Sequence, residues 1–166
     1  MSGLVADNAG RASGVIASSG GGGDGKLLAM ETVTNSTRTA TPATGSAGVV
    51  TSLLSASYTK TSATSDLIVE CLVPLVGTSS GAMDIGLYDG TTFFTGIWCY
   101  TPRVDIRFSH TVANFGTLSA ASHTISWAYR SNLVGSIPNT YANPNSTDEV
   151  RFTQQHTTFV FSEVEA

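Results

Sequence analysis

The chain has 166 residues, 41% of them hydrophobic and only 12% charged, with a formal net charge of −4. That charged fraction is about half of the ~25% usual in globular proteins. Two lysines, six scattered arginines and a pI near 5.1 exclude the clustered basic surface of a nucleic-acid binder, and no apolar run approaches the length of a membrane span.

Residues 1–26 read as an extended arm ahead of a folded body at 27–166. Two short apolar clusters, Leu4-Val5-Ala6 and Val15-Ile16-Ala17, flank Asp7-Asn8-Ala9-Gly10-Arg11. Neither cluster is large enough to make a core, but each suits a patch that pins an extended peptide to another protein. Ser18 to Gly25 is a Gly-rich flexible linker. Fully stretched, the arm reaches at most roughly 85 Å, enough to cross a neighbouring subunit. The N-terminus lacks the basic start and apolar run of a signal peptide, so a reducing cytoplasm is the expected place of synthesis. In that setting Cys71 and Cys99, each inside a strand-like run, read as free thiols acting as small hydrophobes rather than as a disulfide.

The segment Asp7-Asn8-Ala9-Gly10-Arg11-Ala12-Ser13-Gly14-Val15-Ile16, a Gly/Ser run and then Leu27-Leu28-Ala29-Met30-Glu31-Thr32-Val33 together resemble the head of small virion proteins of tailed bacteriophages. In those proteins a short tag of this form precedes a β-rich fibre, head-fibre or capsid-decoration domain. The resemblance covers residues 7 to about 33. It implies a structural component assembled into the virion in the host cytoplasm, with the major capsid protein or another virion protein as partner. It also implies a homo-oligomer, most simply a trimer. The resemblance makes Asp7, Asn8, Arg11, Ser13, Val15 and Ile16 anchoring residues, and the first apolar cluster adds Leu4 and Val5 as a further pin.

The body contains no helical periodicity. Leu27 to Thr39 reads as a strand, broken by Pro42, and Val49 to Ser55 and Ser57 to Lys60 are the next extended pieces. Leu67 to Val73 is nearly continuously apolar, as expected of a central strand, with Pro74 as its end; Glu70 within it reads as a solvent-facing rim carboxylate, with a paired or interface-facing one as the alternative. Met83 to Tyr100 predicts a hairpin: Ile85 and Leu87 alternate with polar residues, Asp89-Gly90 turns the chain, and Phe93, Phe94, Ile97, Trp98 and Tyr100 return. So many rings, each burying on the order of 150–250 Å², require a second sheet to cover them. Val104, Ile106 and Phe108 then alternate with Asp105, Arg107 and Ser109, and Ile125, Trp127 and Tyr129 with Thr124, Ser126 and Ala128. Leu133 to Glu149 reads as a long polar connection, and Thr157 to Val164 closes the chain with Phe159 and Phe161 on one face.

About eight strands with frequent turn signals predict an all-β fold, an antiparallel β-sandwich of jelly-roll type. Edges so poor in lysine invite association, in line with an oligomer.

Chemical motifs are weak. Gly20, Gly25 and Lys26 have the spacing of a phosphate-binding loop, but Leu27 stands where a hydroxyl must hold magnesium. His110, His123 and His156 have no second ligand at metal spacing. Asp84, Asp89 and Asp105 lie near Trp98 and Tyr100, the raw material of a glycosidase, but Asp89 belongs to its turn. No enzyme, metal or cofactor is expected. An alternative to capsid decoration is a tail-fibre or receptor-binding tip whose 136–149 loop contacts host glycans through Tyr141, Asn143 and Asn145.

Overall fold

The computed structural model describes residues 26–41, 48–77, 81–101, 105–131, 140–144 and 155–166, and their regular structure is entirely β-strand. In chain order the strands are β1 (Leu27–Asn35), β2 (Thr39–Ala40), β3 (Val50–Thr59), β4 (Ser65–Gly77) and β5 (Gly81–Tyr88). They continue as β6 (Phe93–Thr101), β7 (Asp105–Thr117), β8 (Ser122–Ser131), β9 (Thr140–Ala142) and β10 (Thr157–Glu165). β1, β2, β4, β7, β9 and β10 form one sheet, and the other runs β3-β8-β5-β6. The pairings are antiparallel throughout.

These pairings are nested around the hairpin predicted from the sequence. β5 pairs β6, β4 pairs β7, β3 pairs β8, β2 pairs β9 and β1 pairs β10. The chain is therefore one long antiparallel ribbon, doubled back at Asp89-Gly90 and folded across itself into two sheets. Each pairing brings the ends of the next within reach, so no outer strand has to close a long free loop.

At the ribbon's tip Asp89 acts through its side chain: Oδ1 accepts from Thr91 N (2.8 Å), Thr91 Oγ1 (2.8 Å) and Thr92 N (2.6 Å). Burial opposes its charge, yet these bonds from Thr92 and Thr91 hold its carboxyl below the ordinary value. Gly90 alone in this turn takes the positive φ, at 99°.

The two sheets face each other across one core. β4 contributes Leu67, Val69, Cys71, Val73 and Leu75, and β10 contributes Phe159 and Phe161. From the other sheet come Leu54 and Tyr58 of β3, Met83, Ile85 and Leu87 of β5, and Ile125, Trp127 and Tyr129 of β8. Rings cross the gap: Tyr58 stacks on Phe161 with centroids 5.4 Å apart, and Phe94 meets Phe115 edge-on at 4.7 Å. The aromatic return strand is thus covered, at Phe94, by the sheet it requires. Cys71 is free and fully buried, and burial pushes its thiol up.

Two expectations are corrected. Pro74 lies inside β4, opposite Phe108, rather than ending it. Its carbonyl points toward the junction of β9 and β10, where it accepts from Asn143 N at 3.0 Å. Its nitrogen faces the same way, so the missing N–H falls where the ladder is already interrupted. Second, the connection after β8 contains a strand, β9, which pairs with β4 at Leu75–Gly77 just beyond the point where β10 stops at Leu72. Among the described residues, β9 and β10 are thus two pieces of one line, as are β1 and β2.

The alternation in β7 leaves open which side is covered: Phe108 and Val112 face outward, while Ser109, Thr111, Ala113 and Phe115 point into the core. Ser109 earns no apolar burial there, but it accepts a hydrogen bond from Trp127 Nε1 at 3.4 Å.

Two polar groups lock the ribbon's outer layers. Asn143, fully buried at φ 53°, donates through Nδ2 to Asn35 O (2.8 Å) and Thr37 O (3.0 Å) and accepts from Thr157 Oγ1 (2.8 Å). One amide therefore closes both the β1–β2 and the β9–β10 interruptions. Asn143→Ala is expected to cost about 2–3 kcal/mol, read from the denaturation midpoint, because it strands several buried partners.

Glu163, fully buried on β10, accepts from Tyr58 OH (3.1 Å), Thr61 N (3.0 Å) and Thr61 Oγ1 (2.9 Å) on one oxygen. Its other oxygen accepts from Ser62 N (2.7 Å) and Ser65 Oγ (2.6 Å). Lys60 Nζ, also buried, donates to the carbonyls of Ser62 and Leu118. Burial disfavours the Glu163 charge, but the donors from Ser65, Thr61 and Ser62 outweigh it and hold the carboxyl at about 2. Burial and the neighbouring Glu163 raise the Tyr58 hydroxyl to about 12.

Because the folded value of Glu163 lies below its ordinary 4.5, its contribution to stability is complete above that pH and is lost as pH falls toward about 2. The stability advantage of the natural chain over Glu163→Gln is expected to shrink steadily between those two values, measured by urea unfolding across pH.

Candidate functional site

The outward face of the sheet made by β1, β10, β4 and β7 is where unusual surface chemistry gathers. Register places its side chains in rows across four strands. Met30, Ser162, Ile68 and Asn114 form one row, and Thr32, Val160, Glu70 and Val112 the next. Thr34, Thr158, Leu72 and His110 form the third, and Phe108 stands beyond it opposite Pro74.

This face is apolar where a solvated face would be polar. Met30 is 63% exposed, Phe108 62%, Val112 58% and Leu72 41%. Single exposed apolar residues are ordinary, but several on one flat sheet face mark a contact surface. Two carboxylates stand among them. Glu70 Oε1 meets His110 Nε2 at 2.7 Å, with both side chains about half exposed. Asp66 accepts from Asn114 Nδ2 (3.0 Å) and Thr117 Oγ1 (3.1 Å). No lysine or arginine stands in these three rows. The arrangement is suited to binding an apolar partner that also carries positive charge.

The residues singled out in the sequence distribute as follows. Leu4, Val5, Asp7, Asn8, Arg11, Ser13, Val15 and Ile16 lie outside the described residues, as does Asn145. Asn143 is buried, with its amide committed within the chain. Tyr141 is half-buried, with the Arg38 guanidinium 4.0 Å from its ring centre. Asp84 is largely buried and bound by Arg130, Nη2 to Oδ2 at 2.8 Å, while Arg130 also lies over Phe93. The side chains of Trp98, Tyr100 and Asp105 lie outside the description. His110 pairs with Glu70, His123 Nε2 lies 2.8 Å from Ser119 O, and His156 is exposed at the entry to β10. Among the described residues, no group of three or more His, Cys, Asp or Glu side chains is placed to hold a metal.

Sequence reasoning missed the outward apolar rows. The signal was present in β4, where Ile68 and Leu72 are apolar in the opposite parity to Leu67, Val69, Cys71 and Val73. A run apolar in both parities was read as a central strand; β4 does lie between two partners, but its Leu72 side is exposed. Comparison with known proteins finds no matching family model and no matching curated protein.

Proposed function

We propose that this protein is a non-enzymatic structural component of a tailed-phage virion, a capsid-decoration protein fastened by residues 1–26. The observation that carries the reading is the nested strand order. First strand with last and inward to a central hairpin, folded across itself into two sheets, supports a jelly-roll reading of this all-β fold, an architecture used by viral capsid and lectin domains. The arm resembling virion proteins leads directly into the outermost strand, β1.

The chemistry of the body supports a passive role. Among the described residues, Glu163, Asp84 and Asp89 are each engaged by donors within the fold. The exposed apolar face supports assembly with further subunits. Attachment then stabilises the particle by mass action, since anything that binds only the assembled state favours it.

The test is deletion of residues 1–17. The truncated protein is expected to keep the unfolding midpoint of the full chain, because the core is built from residues after Lys26, and to be lost from purified particles. Decoration at full occupancy by the truncated protein rejects the reading. A receptor-binding tip is the second reading, since jelly rolls also serve as lectins. It predicts that the isolated body binds host cells or surface polysaccharide.

A further inference from the structure

Resting on the reading of residues 1–26 as an attachment device, we propose that the outward face of β1-β10-β4-β7 is the dock for residues 4–16 of a neighbouring copy of this chain. The face and the segment are complementary. The face offers exposed Met30, Leu72, Phe108 and Val112, interrupted by the carboxylates Glu70 and Asp66. The segment offers Leu4-Val5 and Val15-Ile16, with Arg11 between them. An arginine between two apolar pins matches a carboxylate between apolar patches: no lysine or arginine stands in the three rows around Glu70, whose cationic neighbour there is His110.

The lengths agree. From the Met30–Asn114 row to Phe108 is six residues along β7, roughly 20 Å, and the four strands span about 14 Å. The segment from Val5 to Ile16 reaches at most about 36 Å when extended, so both pins fall on one face.

The chain enters the body at Leu27, at the edge of this sheet, with Lys26 O accepting from Glu165 N at 2.8 Å. Met30 is only three residues further on. Residues 17–26, Gly-rich and reaching up to about 33 Å, are far longer than a return to the chain's own face needs. They reach most of the way across a body of this size, roughly 35–40 Å wide. Arm-to-face contact is heterologous, so repeated around an axis it closes a ring of copies. It also explains why a face this apolar is left open on a single chain.

The test mixes two full-length variants. One carries Phe108→Lys and Val112→Lys on the face, both at exposed positions that leave the core untouched. The other carries Val5→Glu and Ile16→Glu in the arm. Sedimentation velocity is expected to show a closed oligomer for the natural chain and monomers for each variant alone. An equimolar mixture is expected to form a one-to-one complex, the intact arm of one seated on the intact face of the other.

A monomeric natural chain overturns the proposal, as does an arm variant that still assembles, which would mean that faces pair with faces. Two monomeric variants that do not complement each other overturn it as well. If the mixing test fails while deletion of residues 1–17 still removes the protein from particles, the arm attaches elsewhere and the proposed function stands without this dock.

Discussion

Glu163→Ala is expected to destabilise the fold by about 4 kcal/mol, among the largest effects of any single side chain here. The carboxylate is fully buried and satisfies five donors at once, two of them backbone N–H groups of Thr61 and Ser62. Those donors sit in the turn that carries the chain from β3 in one sheet to β4 in the other, while Glu163 belongs to β10. Removing the acceptor leaves the donors without partners, at about 1–3 kcal/mol for each group that water cannot reach. Glu163→Gln retains one accepting oxygen but turns an NH2 toward donors, and a loss of about 2–3 kcal/mol is expected. Urea unfolding at pH 7 measures both, and the order Ala worse than Gln is itself a prediction. Equal losses would mean that packing, not hydrogen bonding, accounts for the site.

Gly86→Ala is expected to cost at least about 3 kcal/mol, or to prevent folding. A Cβ at Gly86 would stand 1.9 Å from the carbonyl oxygen of Phe94 and 2.8 Å from its carbonyl carbon. Those are backbone atoms of the paired strand and cannot rotate away. The close approach coincides with a register shift between Ile85 and Gly86 in the β5–β6 ladder, a bulge that brings the two backbones together. Relief would require parting β5 from β6 at the tip around which every other pairing nests, so the cost is expected to exceed that of ordinary overpacking. The conformation at Gly86 is not the obstacle; the missing side chain is. Gly90→Ala, by contrast, meets no atom within 4 Å and is penalised only by its positive φ, so a loss of about 1 kcal/mol is expected.

The sequence made much of this legible. Asp89-Gly90 between apolar runs located the hairpin, and alternation located the inward rows of β8 and β10, because burial on one side of a strand imposes a period of two. What it concealed has physical causes. Pro74 reads as a terminator only when its neighbours are unknown; the interruption between β9 and β10 that tolerates it is a tertiary fact. Glu163 is one carboxylate at the end of an apolar strand, and its donors at Tyr58, Thr61, Ser62 and Ser65 lie about a hundred residues away. The alternation in β7 separates Phe108 from Ser109, and the side holding Ser109 and Thr111 faces inward. Parity tells which residues share a face, not which face is covered. Asn143 was read as a polar loop residue with side-chain amide to offer, but its place between two strand interruptions draws that amide inside.

The most direct measurement of the central claim is a competition. The full chain and the chain lacking residues 1–17 are supplied together during particle assembly, and their ratio in purified particles is read by mass spectrometry. A folded body that joins its assembly through the arm predicts particles carrying the full chain with the truncated one depleted at least tenfold. A ratio equal to that supplied would contradict it.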